Sequence, residues 1–237
     1  VYREHPWMRM NETVASMVTK GNRAADVGCD HGFVPIFLVE SGISPLAVAA
    51  DVRPGPLSRA KEHIKEHRLE EKIQTRLSDG LANIKPGEAD SLIMSGIGGI
   101  LMMRLLQDEE HTAKSFKELI LSPQSELFDV RRYLVSNGYL IEYEHMLCDE
   151  GKYYFIFHVL VKKDEREWSE EEYRYGKDIC KDDMKTFFAY LEKEERQYEQ
   201  ILEKMKQAPE NDRAAQRIAQ LHQDITCLKK QIGRAHV

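Results

Sequence analysis

The sequence predicts an α/β protein with a parallel, doubly wound sheet. An apolar run leads into a glycine loop at residues 26–32, Asp-Val-Gly-Cys-Asp-His-Gly. A second apolar run over residues 46–51 ends in Asp51, 23 residues beyond Gly28. Further along, strand patterns alternate with helix patterns, and this order places parallel strands side by side with helices on both faces. A carboxylate at the end of the second strand, beside a glycine loop, favours a nucleotide-type cofactor.

The elements follow from apolar spacing and from turn residues. Helices are predicted over residues 10–18, 35–42, 54–68, 100–107 and 127–136, with an amphipathic stretch over 114–118. Strands are predicted over residues 23–27, 46–51, 73–77, 90–94 and 119–121. Two further apolar runs, 140–147 and 153–161, flank Asp-Glu-Gly-Lys at 149–152, a hairpin signal. The sheet is therefore expected to finish in an antiparallel pair.

After Lys162 the composition changes to charged helix formers. One apolar stripe consists of Phe187, Leu191, Tyr198, Leu202 and Met205, and a second of Ile218, Leu221, Ile225 and Leu228. Pro209 to Asp212 separates the stripes, which favours an antiparallel coiled-coil hairpin; a dimerising coiled coil is the alternative. The predicted domains are therefore residues 8–162 and 163–231. The end of the chain, Ile-Gly-Arg-Ala-His-Val at 232–237, is interpreted as a non-native tail.

Composition excludes several classes of protein. The net charge of −6 gives no overall positive field for nucleic acid. A basic cluster follows Asp51, but interleaved glutamates favour a solvated, ion-paired helix face for it; it comprises Arg53, Arg59, Lys61, Lys65, Arg68, Lys72 and Arg76. No Cys-x-x-Cys pair occurs among the four cysteines, so neither a metal site nor a disulfide framework is expected. The absence of a long apolar run and of a signal-peptide pattern predicts a cytoplasmic protein without a membrane span.

The middle of the glycine loop distinguishes between cofactors. Dinucleotide-binding loops have a central glycine where the backbone approaches a pyrophosphate. Here that position holds Asp30, whose carboxylate repels phosphate oxygens at close range. S-adenosylmethionine has no phosphate and carries a sulfonium and an ammonium, so a loop with Asp26 and Asp30 suits it better. The alternative is an ordinary strand-to-helix turn capped by Asp30.

Four motifs carry a resemblance to a known family. They are the loop at 26–32, Gly-Pro-Leu at 55–57, Asp-Gly-Leu at 79–81 and Ser-Gly-Ile-Gly-Gly at 95–99. In this order, and followed by a charged helical tail, they resemble the bacterial tRNA (adenine-22, N1) methyltransferases over roughly residues 8–231. The family usually has threonine in place of Cys29 and often methionine in place of Ile97. The resemblance implies a class I, Rossmann-like domain that methylates adenine N1 near the D-loop of tRNA with S-adenosylmethionine.

Site residues follow from the motifs and from the resemblance. The predicted cofactor-binding residues are Asp26, Gly28, Cys29, Asp30, His31, Gly32, Asp51, Val52, Ser78, Asp79 and Gly80. Those predicted at the target base are Ser95, Gly96, Ile97, Gly98, Gly99 and Arg9. Asp51 is assigned to the ribose hydroxyls, Asp79 with Gly80 to the adenine, and the glycines after strand four to close approach of the base. Valine at Gly98 is expected to strain the backbone. For His31 a structural loop role is the alternative.

Other functions remain open at this stage. The chain is compatible with a class I methyltransferase that acts on another RNA or on a small molecule. It is also compatible with a catalytically silent Rossmann module whose helical tail mediates assembly. The expected partner is tRNA, and the expected state is a monomer, with a homodimer through the tail as the alternative.

Overall fold

The computed structural model describes residues 6–206, 218–219, 223–226 and 229, and side chains from Arg9 onward. The predicted break at Pro209 to Asp212, the stripe positions Leu221 and Leu228, and the segment 232–237 lie outside the described residues.

Residues 6–206 form seven strands, eight α-helices and one 3-10 turn. The strands are β1 Ala24–Val27, β2 Ala47–Asp51, β3 Ile73–Leu77, β4 Ser91–Ile97, β5 Glu118–Pro123, β6 Leu140–Asp149 and β7 Lys152–Leu160. The helices are α1 Pro6–Ser16, α2 Phe33–Glu40, α3 Pro54–Glu66, α4 Gly99–Asp108, α5 Glu110–Ala113, α6 Leu127–Ser136, α7 Glu170–Tyr175 and α8 Met184–Lys206. The 3-10 turn Lys181–Asp183 leads into α8.

The strands form one sheet in the order β3-β2-β1-β4-β5-β7-β6. Neighbouring strands from β3 to β5 pair in parallel, whereas β7 is antiparallel to both β5 and β6. This confirms the predicted class I, Rossmann-like fold with its terminal hairpin. The chain runs outward from β1 to β3 and then returns to β4 on the other side of β1. In sheets of this kind, ligands bind beyond the carboxyl ends of the strands at this switch point.

Two predicted elements differ from the structure. Strand β4 continues through Ser95 to Ile97, with a register shift between these two residues, so part of the predicted glycine turn is strand. The predicted amphipathic stretch at 114–118 is wrong, because the short helix α5 ends at Ala113 and Glu118 already belongs to β5. Glu118 is tolerated inside the sheet because hydroxyl and amide groups bind its carboxylate.

The segment that follows β7 packs onto the sheet before the long helix begins. Tyr175, Phe187 and Leu191 are buried in the same core cluster as the residues of β4, β5 and β7. Beneath them lies a fully buried ion pair, in which Arg131 Nη2 is 2.7 Å from Glu144 Oε2. Arg131 also donates to the backbone oxygens of residues 173 and 174, which fastens α7 to α6. Residues beyond 162 thus share the core of the sheet, and the predicted domain boundary at residue 162 stays a prediction.

The outer part of α8 packs against the short described pieces beyond it. Ile225 is buried with Leu202, and Tyr198, Met205 and Ile218 pack around them. Arg174 Nη1 lies 3.2 Å from Asp224 Oδ1 and so joins α7 to the same region. These contacts pair the two predicted apolar stripes, while the coiled-coil hairpin as a whole stays a prediction. Within the described ranges no helix has the length and apolarity needed to cross a membrane.

Candidate active site

An open cleft of about 900 Å³ lies at the carboxyl ends of β1 to β5. Most of the residues predicted to bind the cofactor line it, namely Asp26, Gly28, Cys29, Asp30, His31, Asp51, Val52, Ser78, Asp79 and Gly80. Three of the residues predicted at the target base also line it, namely Ser95, Gly96 and Ile97. The switch point of the sheet therefore brings the predicted groups together.

The glycine loop turns tightly at the end of β1. Gly28 has a φ of +84°, and the amides of Gly28 and Cys29 both donate to the oxygen of Ala50, at 2.9 and 3.0 Å. Asp30 also lies in the left-handed region, with a φ of +43°. Burial and nearby carboxylates raise the pKa of the Cys29 thiol above its ordinary value, so the thiol stays protonated. Cys29 is a packing residue on the cleft wall.

Asp51 is held by backbone amides of two loops, the loop after β1 and the loop after its own strand β2. Its Oδ1 accepts from the amide of Arg53 at 2.8 Å, and its Oδ2 accepts from the amide of Asp30 at 3.3 Å. The side chain is buried at the end of β2. A carboxylate fixed in this way keeps lone pairs free on the cleft side, where it can accept hydrogen bonds from two neighbouring hydroxyls. This geometry fits the ribose role predicted for Asp51.

Asp26 is a buried carboxyl without a hydrogen-bond partner in the described part of the chain. Burial, together with the nearby charge of Asp51, raises the pKa of Asp26 from 3.8 to about 7. Two carboxyls that share a cleft cannot both ionise freely without a cation. The site therefore favours a ligand that brings positive charge to Asp26.

Asp30 belongs to a partly exposed cluster at the outer edge of the loop. Arg59 Nη2 lies 3.0 Å from Asp30 Oδ1, and His31 Nε2 lies 3.6 Å from Asp30 Oδ2. The His31 ring stacks on Phe33 with centroids 5.4 Å apart, and Phe33 stacks on His63 at 4.9 Å. His63 Nδ1 contacts the backbone oxygen of His31 at 2.9 Å. The stacked rings thus brace the loop, and His31 combines a place on the cleft wall with a structural role.

The loop after β3 forms the far end of the cleft. The Ser78 hydroxyl donates to the oxygen of Gly80 and accepts from the amide of Asn83, so it shapes the turn. Gly80 has a φ of +55°, and a Cβ there would lie 2.5 Å from Leu105 Cδ2. Glycine is therefore required for the loop to lie against α4. Asp79 keeps an exposed carboxylate at this end, as its predicted contact with the cofactor adenine requires.

The side of the cleft formed by β4, β5 and α1 has a different character. Its described lining residues are Met10, Asn11, Ser95, Gly96, Ile97 and Gln124, and none of them is ionisable. Gly96 has a φ of +77° at the register shift of β4. We call this the target side, and the region of Asp26, Asp30, Asp51 and Asp79 the acidic side. The cleft therefore separates a side suited to a cation from a side suited to a neutral molecule.

Four predicted site residues do not line the cleft. Gly32, at the start of α2, lies against α3, where a Cβ would be 3.1 Å from that of Ala60, so it permits the close approach of these two helices. A Cβ on Gly99 would lie 2.5 Å from the Ser125 oxygen. Gly98 has an ordinary φ of −66° before α4, so the prediction of backbone strain there is wrong. Arg9 is exposed on α1, while Met10 and Asn11 beside it face the cleft.

Sequence reasoning missed several lining residues. They are Met10, Asn11, Val27, Phe33, Val34, Arg53, His63, Leu101, Leu105 and Gln124. Gln124 had a detectable signal, because it lies shortly after the strand predicted over residues 119–121, and polar residues at the carboxyl ends of parallel strands converge. His63 and Leu105 had no such signal, since each lies inside a predicted helix whose sequence does not distinguish it from its neighbours.

Another group of potential ligand atoms lies outside the cleft. Atoms of His145, Cys180 and Asp183 all lie within 4.8 Å of one another. Asp183 Oδ2 is 2.7 Å from His145 Nδ1 and also accepts from the amide of Met146, whereas Cys180 Sγ is 3.6 Å from the other ring nitrogen. The group ties the 3-10 turn to β6, and the absence of a metal site stays a prediction.

The acidic side fits S-adenosylmethionine. The buried carboxyl of Asp26 has a raised pKa, and a nearby cation would stabilise its ionised form. Asp51 offers a fixed acceptor for a ribose, and Asp79 offers an exposed acceptor for an exocyclic amine. The loop that leads into α2 carries Asp30 at its centre, where a pyrophosphate-binding loop has a glycine.

Comparison with known proteins agrees with this geometry. A family model described as a methyltransferase domain matches residues 8–157. The tRNA (adenine(22)-N(1))-methyltransferase of Bacillus subtilis (strain 168) is 26% identical over 227 residues, 93% of this chain and 94% of that enzyme. The crystal structure of the B. subtilis M1A22 tRNA methyltransferase superimposes with a TM-score of 0.83 at 26% identity and covers 94% of this chain and 97% of that one.

A structure that holds the cofactor is also similar. Streptococcus pneumoniae Sp1610 in complex with S-adenosyl-L-methionine superimposes with a TM-score of 0.82 at 30% identity, over 94% of this chain and 98% of that one. The fold, the acidic side of the cleft and these similarities lead to one assignment. The chain belongs to the class I S-adenosylmethionine-dependent methyltransferases, within the family of the bacterial tRNA (adenine-22, N1) methyltransferases.

Proposed function

We propose that this enzyme transfers a methyl group from S-adenosylmethionine to N1 of adenine 22 in the D-loop region of tRNA. The observation that carries the proposal is the division of the cleft. Carboxylates line the acidic side, whereas the described lining residues of the target side are apolar, hydroxyl or carboxamide groups. An uncharged target side suits a neutral nucleobase. The relatives named above supply the position of that base in tRNA.

The chemistry of adenine explains why the target side needs no general base. N1 carries a lone pair at neutral pH and loses no proton when it is methylated, so no group must be deprotonated first. S-adenosylmethionine supplies an electrophilic methyl group when it is bound. The new N–C bond forms as the S–C bond breaks, and the electron pair of that bond goes to sulfur. Positive charge passes to the adenine ring, where acceptors on the exocyclic amine stabilise it.

The protein therefore contributes to the reaction mainly by orienting the cofactor and the target base. Asp51 would hold the ribose end of the cofactor, and Asp26 would balance its positive charge in a buried position. Gly96 leaves the end of β4 without a side chain, so a base can approach the backbone there. Because a base inside folded tRNA must leave its stack to reach this cleft, extrusion of the adenine precedes transfer. Rigid placement of two reactants can supply several kcal/mol of rate acceleration, up to about 7–11 kcal/mol.

The test uses an unmodified tRNA transcript and methyl-labelled cofactor. We expect label to enter the transcript, and primer extension to stop at adenine 22 because the methyl group blocks base pairing. A transcript with guanine at this position is the matched control and should stay unlabelled. Labelling of the control to the same extent, or a stop at another base, would contradict the proposed position.

A further inference from the structure

Gln124 presents a donor and an acceptor to the target side of the cleft. It follows β5, next to the end of β4, and its amide donates to the oxygen of Ile97 at 2.9 Å. Its Nε2 lies 3.7 Å from the position that a Cβ would occupy on Gly96. The carboxamide is exposed and makes no hydrogen bond to any described residue. A fixed backbone thus places a free carboxamide over the glycine that opens the target side.

The neighbouring polar side chains are less suited than Gln124 to form two hydrogen bonds with a base at the end of β4. The Ser95 hydroxyl has its donor and its acceptor on a single atom, so it does not match two groups of a base edge as a carboxamide does. Ser125 is occupied, because its hydroxyl accepts from the amide of Gly99 and contacts Glu126. Asn11 also carries a carboxamide on the target side, but it belongs to α1 and not to the chain beside the end of β4. Gln124 alone among the described lining residues combines a two-point hydrogen-bonding group with a position beside the end of β4.

Adenine has two edges that such a group can bind. A carboxamide that pairs with N6 and N7 accepts one hydrogen bond from the amine and donates one to N7. This arrangement leaves N1 free, whereas pairing along the Watson–Crick edge would cover N1 and block the reaction. Resting on the proposed function, we propose that Gln124 holds the target adenine by N6 and N7 and so selects adenine and presents N1 to the cofactor.

The same contact strengthens during the reaction. Methylation at N1 spreads positive charge onto the exocyclic N6, and an acceptor at N6 therefore binds the transition state more tightly than the ground state. Guanine carries an acceptor in place of the N6 amine, so the carboxamide can satisfy only one of the two groups on that edge. Gln124 thus acts as a specificity residue that also contributes to the rate.

A chemical double-mutant cycle tests this contact. The wild type and Gln124→Met, which keeps the length of the side chain but not its hydrogen bonds, are each given tRNA with adenosine or with 7-deazaadenosine at position 22. Single-turnover methylation is measured with saturating cofactor. We expect the missing N7 to slow the wild type about tenfold, in line with the discrimination of a bidentate pair. Gln124→Met should be slow on adenosine by about tenfold or more and should show less than a twofold further effect of 7-deazaadenosine.

Two controls separate the possible failures. Gln107→Met changes an exposed glutamine on α4 that does not line the cleft, and it should behave as the wild type. Cofactor affinity, measured by calorimetry, should be the same in all three proteins. An undiminished effect of 7-deazaadenosine on Gln124→Met would overturn the proposed contact while leaving the proposed function intact. Failure of the wild type to methylate N1 of position 22 would instead overturn the proposed function.

Discussion

Two buried carboxyl groups at opposite ends of the same sheet have opposite environments. Glu118, at the amino end of β5, is 2% exposed, and Asp26, near the carboxyl end of β1, is 4% exposed. Glu118 accepts hydrogen bonds from the Thr19 amide, the Ser91 hydroxyl and His158. Burial by itself raises its pKa, but these hydrogen bonds outweigh burial and lower the pKa to about 2.

Asp26 has no such compensation within the described chain. Burial and the charge of Asp51 raise the pKa of Asp26 to about 7. The comparison shows how one sheet serves two purposes. At its amino end, several hydrogen bonds stabilise the buried charge of Glu118 and with it the fold, whereas at its carboxyl end the buried carboxyl of Asp26 has no such partner among the described residues, as a site for a cationic ligand requires.

The largest expected effect comes from removing the compensated carboxylate. Glu118→Ala leaves the Thr19 amide, the Ser91 hydroxyl and the Nε2 atom of the buried His158 without this acceptor, so we expect the free energy of unfolding to fall by about 3–5 kcal/mol. Chemical denaturation at pH 7 measures this loss. Glu150→Ala, at an exposed hairpin turn, is the control and should change stability by less than about 0.5 kcal/mol. A loss below about 1 kcal/mol in Glu118→Ala would show that the network contributes little.

The next effect concerns binding at the other end of the sheet. Asp51→Ala removes the acceptor predicted for two ribose hydroxyls, so the affinity for S-adenosylmethionine should weaken by about 1.5–3 kcal/mol, roughly tenfold or more. Isothermal calorimetry checks this. Stability should change less than in Glu118→Ala, because Asp51 accepts hydrogen bonds from two loop amides and its ion pair with the exposed Arg53 side chain is a long one of 3.9 Å. Unchanged affinity would remove Asp51 from the cofactor site.

Asp26→Asn tests the uncompensated charge through pH. The pKa of Asp26 rises from its ordinary value of 3.8 to about 7 in the folded protein, so the folded protein binds a proton between these values that the unfolded chain does not. The stabilisation that this protonated carboxyl gives the folded wild type is therefore fully present below pH 4 and is lost as the pH rises to 7. Asn avoids this loss. At pH 8 we expect the variant to gain on the order of 2 kcal/mol over the wild type, and at pH 4 nothing.

The same variant should bind the cofactor less well. The wild type should lose affinity for the sulfonium-bearing cofactor as pH falls from 7 to 5, because Asp26 becomes protonated, and affinity for the neutral thioether product should change less. Asp26→Asn should show no such pH dependence in the ratio of the two affinities. An equal pH dependence in variant and wild type would assign the titration to another group.

Some of this contrast could be predicted from the sequence. The glycine loop and Asp51 follow directly from motif spacing, because their chemistry is local to a strand end. Glu118 was expected in an amphipathic stretch, since its partners Thr19, Ser91 and His158 are distant in the chain and only the folded sheet brings them together. Gly98 was assigned from its neighbourhood in a glycine turn, yet Gly96 is the residue with the positive φ, and a glycine's conformation depends on the register shift of β4.

The smallest expected effect separates those two glycines on the target side, where backbone shape and not charge sets the geometry. Gly96→Ala places a side chain on a residue with a φ of +77°, which costs about 1–2 kcal/mol and should shift Ser95 and Ile97 beside the target base. Gly98→Ala keeps an ordinary φ and meets only the Ser125 hydroxyl at 3.3 Å. We expect single-turnover methylation to fall about tenfold in Gly96→Ala and by less than about twofold in Gly98→Ala, with cofactor affinity preserved in both because Asp51 lies on other loops. A larger loss in Gly98→Ala than in Gly96→Ala would place the base against the start of α4 and not against the end of β4.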